Sequence, residues 1–344
     1  MNIKLTNKQK LYHKEPTRLE VLQEINKRKG LENQPKLKME FNKLERGYEG
    51  EVILLDYLEK YGEDDWIVLK NVWLNFFGGF ECDVLLITRT GLYPFEVKNY
   101  ANTFHLKDNI GKINDIELSK HPVSQAQNAV ISLNAMFKNS PIPPKITGSV
   151  IFIGSDSKVD IQDKIINLHL LVRSDLKDFI LAIRNHERNY NGRSINSAHI
   201  LEVLEHHEIT NPFPALNLYL ELKQHIQPGI ICSHCGNFDL DIARTYVVCG
   251  CGMHESRDEA IVRTICEYGV MNFDRDLTTT ELVEFFDKQI SRTNIQRVIN
   301  QYFDKSGSFR NSKVINTKLP FPDVYHNFKF HLKKFKVISG PTLD

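Results

Sequence analysis

The chain has 344 residues, 41% of them hydrophobic and 25% charged, so it can bury real cores and falls outside the disordered and fibrous classes; two or three domains are expected. No run of about 18 apolar residues occurs, and the opening MNIKLTNKQK lacks the apolar core of a signal peptide, which argues against membrane spanning and secretion and points to the cytoplasm. The formal charge of +1 speaks against a nucleic-acid partner only as an average, because residues 1–46 carry +6, residues 288–344 carry +8, and residues 47–287 carry the balancing −13. Acidic middles of this kind arise from metal-binding carboxylates and from solvated acidic helices alike.

Residues 1–46 read as a basic, helix-compatible arm in which Leu19, Val21, Leu22 and Ile25 form a narrow apolar stripe, interrupted by Gly30 and Pro35. A helix is expected from Gly50 to Lys60, starting in a glycine-rich turn and turning Val52, Leu55 and Leu58 inward. The runs 66–74, 80–87 and 92–97 are rich in aliphatic and aromatic residues, and Gly78-Gly79 and Thr90-Gly91 break them as hairpin turns. A polar stretch follows to Lys120, then a helix from about Pro122 to Lys138 and a buried strand from Lys145 to Gly154. Short helical and strand-like patterns alternate to about Gln227.

Glu96 and Lys98 are two apart on a strand and leave the same face together. Asp83, on the neighbouring antiparallel run, can reach that face, and two converging carboxylates repel unless a cation lies between them; Mg²⁺ takes such ligands together with substrate phosphate. Glu51 on the preceding helix is a candidate third acid. The residues alone leave blander readings open: a strand-edge ion pair for Glu96 and Lys98, a turn-proximal polar residue for Asp83, a first-turn helix acid for Glu51.

Four ordered segments narrow this. Gly47-Tyr48-Glu49-Gly50-Glu51, then Phe80-Glu81-Cys82-Asp83-Val84, then Tyr93-Pro94-Phe95-Glu96-Val97-Lys98, then Pro122-Val123-Ser124-Gln125 resemble the PD-(D/E)xK nuclease superfamily and, more narrowly, its nuclease-related (NERD) domain, over roughly residues 45–160. Glu81-Cys82 stands where the superfamily usually has proline before the aspartate. The resemblance implies a restriction-endonuclease-like α/β core, a mixed central sheet flanked by helices. It also implies Mg²⁺ or Mn²⁺ on Asp83, Glu96 and the Val97 carbonyl, with Lys98 acting on the attacking water or the transition-state charge. Glu51 would then hold a second metal or its water shell, and Gln125 would position a ligand or phosphate. The implied activity is phosphodiester hydrolysis of DNA; a catalytically silent DNA-binding regulator on the same fold, or a nuclease acting on RNA, are the alternatives.

Cys232-x-x-Cys235 and Cys249-x-Cys251 make two close thiol pairs, the pattern of a tetrahedral structural Zn²⁺ site rather than of disulfides in a reducing compartment. The single residue inside the second pair leaves His234 or His254 as substitute ligands. Helices are then expected from Asp258 to Tyr268, from about Leu277 to Phe286 and from Ser291 to Phe303, the last two spaced like a helix-turn-helix pair presenting Arg292, Asn294, Gln296 and Arg297 to nucleic acid. A packing bundle fits the same pattern. Lys305, Arg310, Lys313, Lys318, Lys329, Lys333, Lys334 and Lys336, interleaved with Phe309, Tyr325, Phe328, Phe330 and Phe335, suit a phosphate-contacting surface or wing, or a solvated basic face. The expected organisation is an arm (1–46), a nuclease-like domain (47–228), a zinc ribbon (229–257) and a helical nucleic-acid-binding tail (258–344). Double-stranded DNA is the expected partner, with a homodimer left open.

Overall fold

The computed structural model describes residues 16–209, 211–213, 215–307 and 312–316. The described residues divide into two compact units, one within 43–212 and the other within 16–42 and 213–316. The expectations on Arg310, Phe309, Lys318 and the basic and aromatic residues beyond it fall outside the described residues.

Helix α1 (Arg18–Lys27) opens on a capping box between Thr17 and Glu20. Helix α2 (Pro35–Tyr61) begins fifteen residues before the expected Gly50 and runs through both glycines. Gly50 is there for packing rather than for a turn: a methyl group on it would lie 3.1 Å from both Asn99 Cβ and Ile153 Cγ2, so its absence lets the helix approach the sheet.

The first unit is built on a mixed sheet of β1 (Ile67–Asn75), β2 (Gly79–Ile87), β3 (Gly91–Lys98), β7 (Lys145–Ile146), β8 (Gly148–Phe152) and β10 (Leu168–Val172). The order is β1-β2-β3-β8-β10, antiparallel across the first three and parallel from β3 to β10. β7 and β8 continue one another along β3 in a single register, broken at Thr147, whose N–H still donates to Leu92 O at 3.0 Å. Helices α2 and α4 (Leu176–Arg188) pack on one side of this sheet, through Leu54, Leu58, Leu176, Ile180 and Ile183. Helices α3 (Pro122–Met136) and α5 (Ser197–His207) cover the other, through Ala129, Leu133, Ile200 and Leu204. This is the α/β core expected from the sequence.

The polar stretch before Lys120 is structured, against expectation. It forms β4 (Thr103–Lys107), β5 (Ile110–Ile113) and β6 (Ile116–Glu117), which pair with β9 (Lys158–Ile161) in a second sheet ordered β6-β5-β4-β9. Asp108-Asn109 and Asn114-Asp115 all have φ between 49° and 64°, the primed-turn conformation that suits two-residue hairpins. Only Phe104 and Leu106 anchor β4, against Val123, Val150 and Phe152, which is why the stretch reads as loop.

The second unit contains α1, the start of α2, α6 (Tyr219–Leu222), a small antiparallel sheet of β11 (Leu240–Ile242), β12 (Tyr246–Cys249) and β13 (His254–Ser256), and then α7 (Arg257–Met271). β14 (Leu277–Thr278), α8 (Thr279–Phe285) and α9 (Arg292–Tyr302) follow, then β15 (Lys305–Ser306) and β16 (Lys313–Val314). The strands pair in the order β14-β16-β15, a small three-stranded sheet that accompanies α7–α9. The turn between α8 and α9 passes through Asp287 and Lys288, both at positive φ, and Ser291 caps α9. A buried ionic chain ties the unit together. Arg28 reaches Glu267 at 2.6 Å and Gly229 O at 2.6 Å, while Arg263 reaches Glu267 at 2.8 Å, Glu255 at 2.5 Å and Ile231 O at 2.8 Å.

Candidate functional site: an acidic notch, a thiol cluster and an exposed helix face

The notch arises from strand geometry. β2 and β3 pair only from Ile87↔Leu92 to Val84↔Phe95; beyond that, β2 continues against β1 alone and β3 against β8 alone. Asp83 and Glu96 are the first residues past the split.

A second irregularity shapes β2. The β1–β2 ladder runs from Ile67↔Ile87 to Lys70↔Val84 and resumes at Val72↔Cys82, skipping the position that would join Asn71 and Asp83. Asn71 has φ +50°. Both strands change faces there, since Leu69 and Val72, and likewise Cys82 and Leu85, lie three apart yet share one core cluster, where regular strands repeat every two residues. Glu81 is thereby placed opposite Phe80 and Cys82, on the face that carries Val84 and Leu86 after the switch.

Asp83 Oδ2 accepts the Val97 N–H at 2.7 Å, which ties the two splayed strands together. Lys98 Nζ lies 2.5 Å from Glu96 Oε1, although the contact is poorly aligned and that buried oxygen has no well-directed hydrogen bond. Glu51 Oε2, on α2, is likewise buried without a donor. Burial first, and then the Asp83 charge, raise Glu51 and Glu96 to about 7. Glu81 feels burial and then Asp83, Glu96 and Glu51, and rises to about 8. Burial works against the charge on Lys98, but Glu96 and Asp83 outweigh it and hold the ammonium above the ordinary lysine range. Four carboxylates thus share one firmly protonated lysine, with Lys70 giving Glu51 additional help.

Asp83, Glu96, Lys98 and Glu51 therefore come together as the sequence suggested. Gln125 lies half-buried in the first turn of α3 and, among the described residues, makes no side-chain hydrogen bond to this group. Glu81 is the member that sequence reasoning passed over as a mere departure from proline. No local spacing marks it, because its face is set by the strand switch at Asp83.

The four cysteines converge as well. Cys232 Sγ is 3.6 Å from Cys251 Sγ, Cys235 Sγ is 3.6 Å from Cys249 Sγ, and all four sulfurs lie within 4.8 Å of one another. A tetrahedral metal with bonds of about 2.3 Å to sulfur needs edges of about 3.8 Å, so the cluster can hold a metal ion as a small ribbon. Burial alone would raise the Cys232 thiol; the N–H groups of Cys235 and His234 outweigh it and bring it down to about 6. Neither histidine is needed as a ligand, and His254 instead stacks on Tyr246 at 5.1 Å.

On α9, Ile295, Val298, Ile299 and Tyr302 face inward. A concave polar surface is lined by Arg292, Thr293, Gln296, Arg297, Asn300 and Gln301. Arg297 is paired with Asp258, and Gln296 and Lys305 both donate to Asn300 Oδ1. Asn294 turns back to Ser291 Oγ at 2.9 Å, helping to cap the helix.

No helix among the described residues is long and apolar enough to cross a membrane. No curated protein and no solved structure matches the chain. Residues 46–153 match the model of the NERD family, and that segment carries Glu51, Glu81, Asp83, Glu96 and Lys98, so the first unit contains a nuclease-related domain.

Proposed function

We propose that the protein is a divalent-metal-dependent nuclease acting on duplex DNA, with its chemistry in residues 47–228, a zinc ribbon at 229–257 and a duplex-binding tail at 258–344. The observation that carries this reading is the gathering of Glu51, Glu81, Asp83 and Glu96 around a single close lysine that cannot neutralise them alone, with the buried Glu51 Oε2 left without a hydrogen-bond donor. Hard oxygen donors of this kind suit Mg²⁺ or Mn²⁺. The cysteines are the only group of three or more candidate ligands among the described residues that fit within 4.8 Å, so the carboxylates would offer two oxygens at a time and leave places for water and phosphate.

Bound there, the metal would acidify water and neutralise charge on the scissile phosphate. Asp83 and Glu96 would hold it, together with the Val97 carbonyl. Glu51 would orient water on the α2 side, and Lys98, fixed as a cation, would stabilise the charge that builds on the phosphate oxygens. Gln125 is assigned to phosphate positioning on family likeness alone. The α9 face would supply affinity, with Arg292 and Gln296 toward the duplex, Arg297 freed from Asp258 on contact, and Asn294 as a capping residue beside the phosphates. Thiolate ligation suits the reducing cytoplasm.

The deciding experiment incubates wild type and Glu96→Gln with plasmid, linear, single-stranded DNA and RNA under Mg²⁺, Mn²⁺ and EDTA. Metal-dependent cleavage lost in the variant supports the reading; equal cleavage by both removes it. About one zinc per chain by elemental analysis, lost in Cys232→Ser, is expected of the ribbon.

A further inference from the structure

The tip of the β1–β2 hairpin carries the most exposed large hydrophobic side chain among the described residues, Phe77 at 86%. Its backbone has φ +56°, a left-handed conformation that a bulky residue rarely adopts and that Asn or Gly would occupy with less strain. Gly78 follows at φ +114°, and Asn75 pairs with Gly79 to close the turn. The neighbouring ring is anchored: Phe76 packs on the core and meets His207 edge-on at 5.1 Å, while Phe77 touches Phe76 at 4.6 Å and otherwise faces solvent. A strained, solvated aromatic on a braced support is costly for folding, and strain of this sort collects at functional positions.

Its location adds a second argument. Glu81 is two residues beyond Gly79 on β2, and Asp83 four, so at about 3.3 Å per residue the turn lies about 13 Å from Asp83 along the strand. That is roughly four steps of a nucleic-acid strand at about 3.4 Å each. Residues 71–80 contain no lysine or arginine, so this tip is unsuited to gripping phosphate. One ring flanked by Asn75 and two glycines is also too small for a protein interface, which needs about 800 Å² on each side. A nucleobase presents a flat π face that a single aromatic can cover.

We propose that Phe77 is a positioning residue that stacks on a base a few nucleotides from the phosphate held at the acidic notch, setting where along the strand cleavage falls. This rests on the nuclease reading. The test uses full-length wild type, Phe77→Trp and Phe77→Asn, with single-stranded and duplex oligonucleotides in Ca²⁺ for binding and in Mg²⁺ for cleavage. Phe77→Trp should bind like wild type and show fluorescence quenching, beyond the Trp66 and Trp73 background, when either oligonucleotide is added. Phe77→Asn should keep or raise the melting temperature while weakening binding about tenfold, raising KM similarly and blurring the cleavage positions.

Unchanged binding and cleavage pattern in Phe77→Asn would overturn the proposal. So would an unquenched Phe77→Trp, a lower melting temperature in Phe77→Asn, which would make the ring part of the fold, or a loss of self-association with nucleic-acid affinity intact. If wild type cleaves nothing under any metal, the nuclease reading falls, while quenching and binding still decide the stacking.

Discussion

Each unit buries a cluster of charges, and the two clusters are solved differently. In the second unit, Arg28 and Arg263 alternate with Glu267 and Glu255 at 2.5–2.8 Å, and both arginines also satisfy backbone carbonyls. Burial tends to raise Glu267, yet Arg263 and Arg28 outweigh it and hold the carboxyl below its ordinary range. Glu24 nearby is the exception, pushed up by burial and by Glu267. In the first unit, four carboxylates have one close cation, the buried Glu51 Oε2 lacks a donor, and three of the acids are raised rather than lowered. Both clusters contain acid–base pairs near 2.5 Å. What separates them is charge balance: arginines match the carboxylates of the second unit, whereas in the first unit the carboxylates outnumber their close cation.

The contrast is sharpest in activity. Glu96→Gln or Lys98→Met should lower metal-dependent cleavage at least about 10³-fold, the order found when a group stabilising transition-state charge is removed. Metal-free melting temperature should hold or rise in Glu96→Gln, because a repelled carboxylate is gone. Glu267→Gln should do the reverse, leaving a buried arginine short of its partner and costing about 3–5 kcal/mol in denaturant unfolding. Equal destabilisation by both variants would erase the distinction.

Acidity gives a third handle. Glu51 and Glu96 at about 7 and Glu81 at about 8 all lie above the ordinary 4.5, so across that window the folded chain keeps protons that the unfolded chain has released. Stability from these groups is greatest below about pH 4.5 and falls as pH rises toward 8, because the folded state binds more protons. Melting scans of metal-free protein should show that decline, Glu81→Gln should flatten it, and Mn²⁺ should restore stability most at the higher pH. The smallest effect is expected on α9, where Arg292→Ala should cost about 1–3 kcal/mol in duplex affinity and reduce the salt slope by about one.

Much of this was readable from residues. The aliphatic runs of β1–β3, the Glu96-x-Lys98 spacing, the paired cysteines and the Ser291-capped helix are local signals, and local physics set them. What escaped depended on partners distant in the chain. Gly47 and Gly50 look like a turn, yet α2 passes through them because Gly50 meets Asn99 and Ile153. β4 to β6 look like loop because Phe104 and Leu106 are their only fully buried hydrophobic side chains, with Ile113 partly buried beside them. Glu81 was hidden because its value depends on the strand switch at Asn71 and Asp83, which alternation cannot foretell.

That switch makes the hairpin a ruler read in two phases. Inward and outward positions swap parity on crossing Asn71 and Asp83, so Phe80 and Cys82 share a core with Leu85 and Ile87. Deleting Cys82 alone would move Glu81 onto its core-facing position and turn an acid into the core. Shortening both strands by two residues would keep the faces and carry Phe77 two steps nearer the notch. Paired deletions in this hairpin are therefore a route to moving the reach of the tip without rebuilding the site.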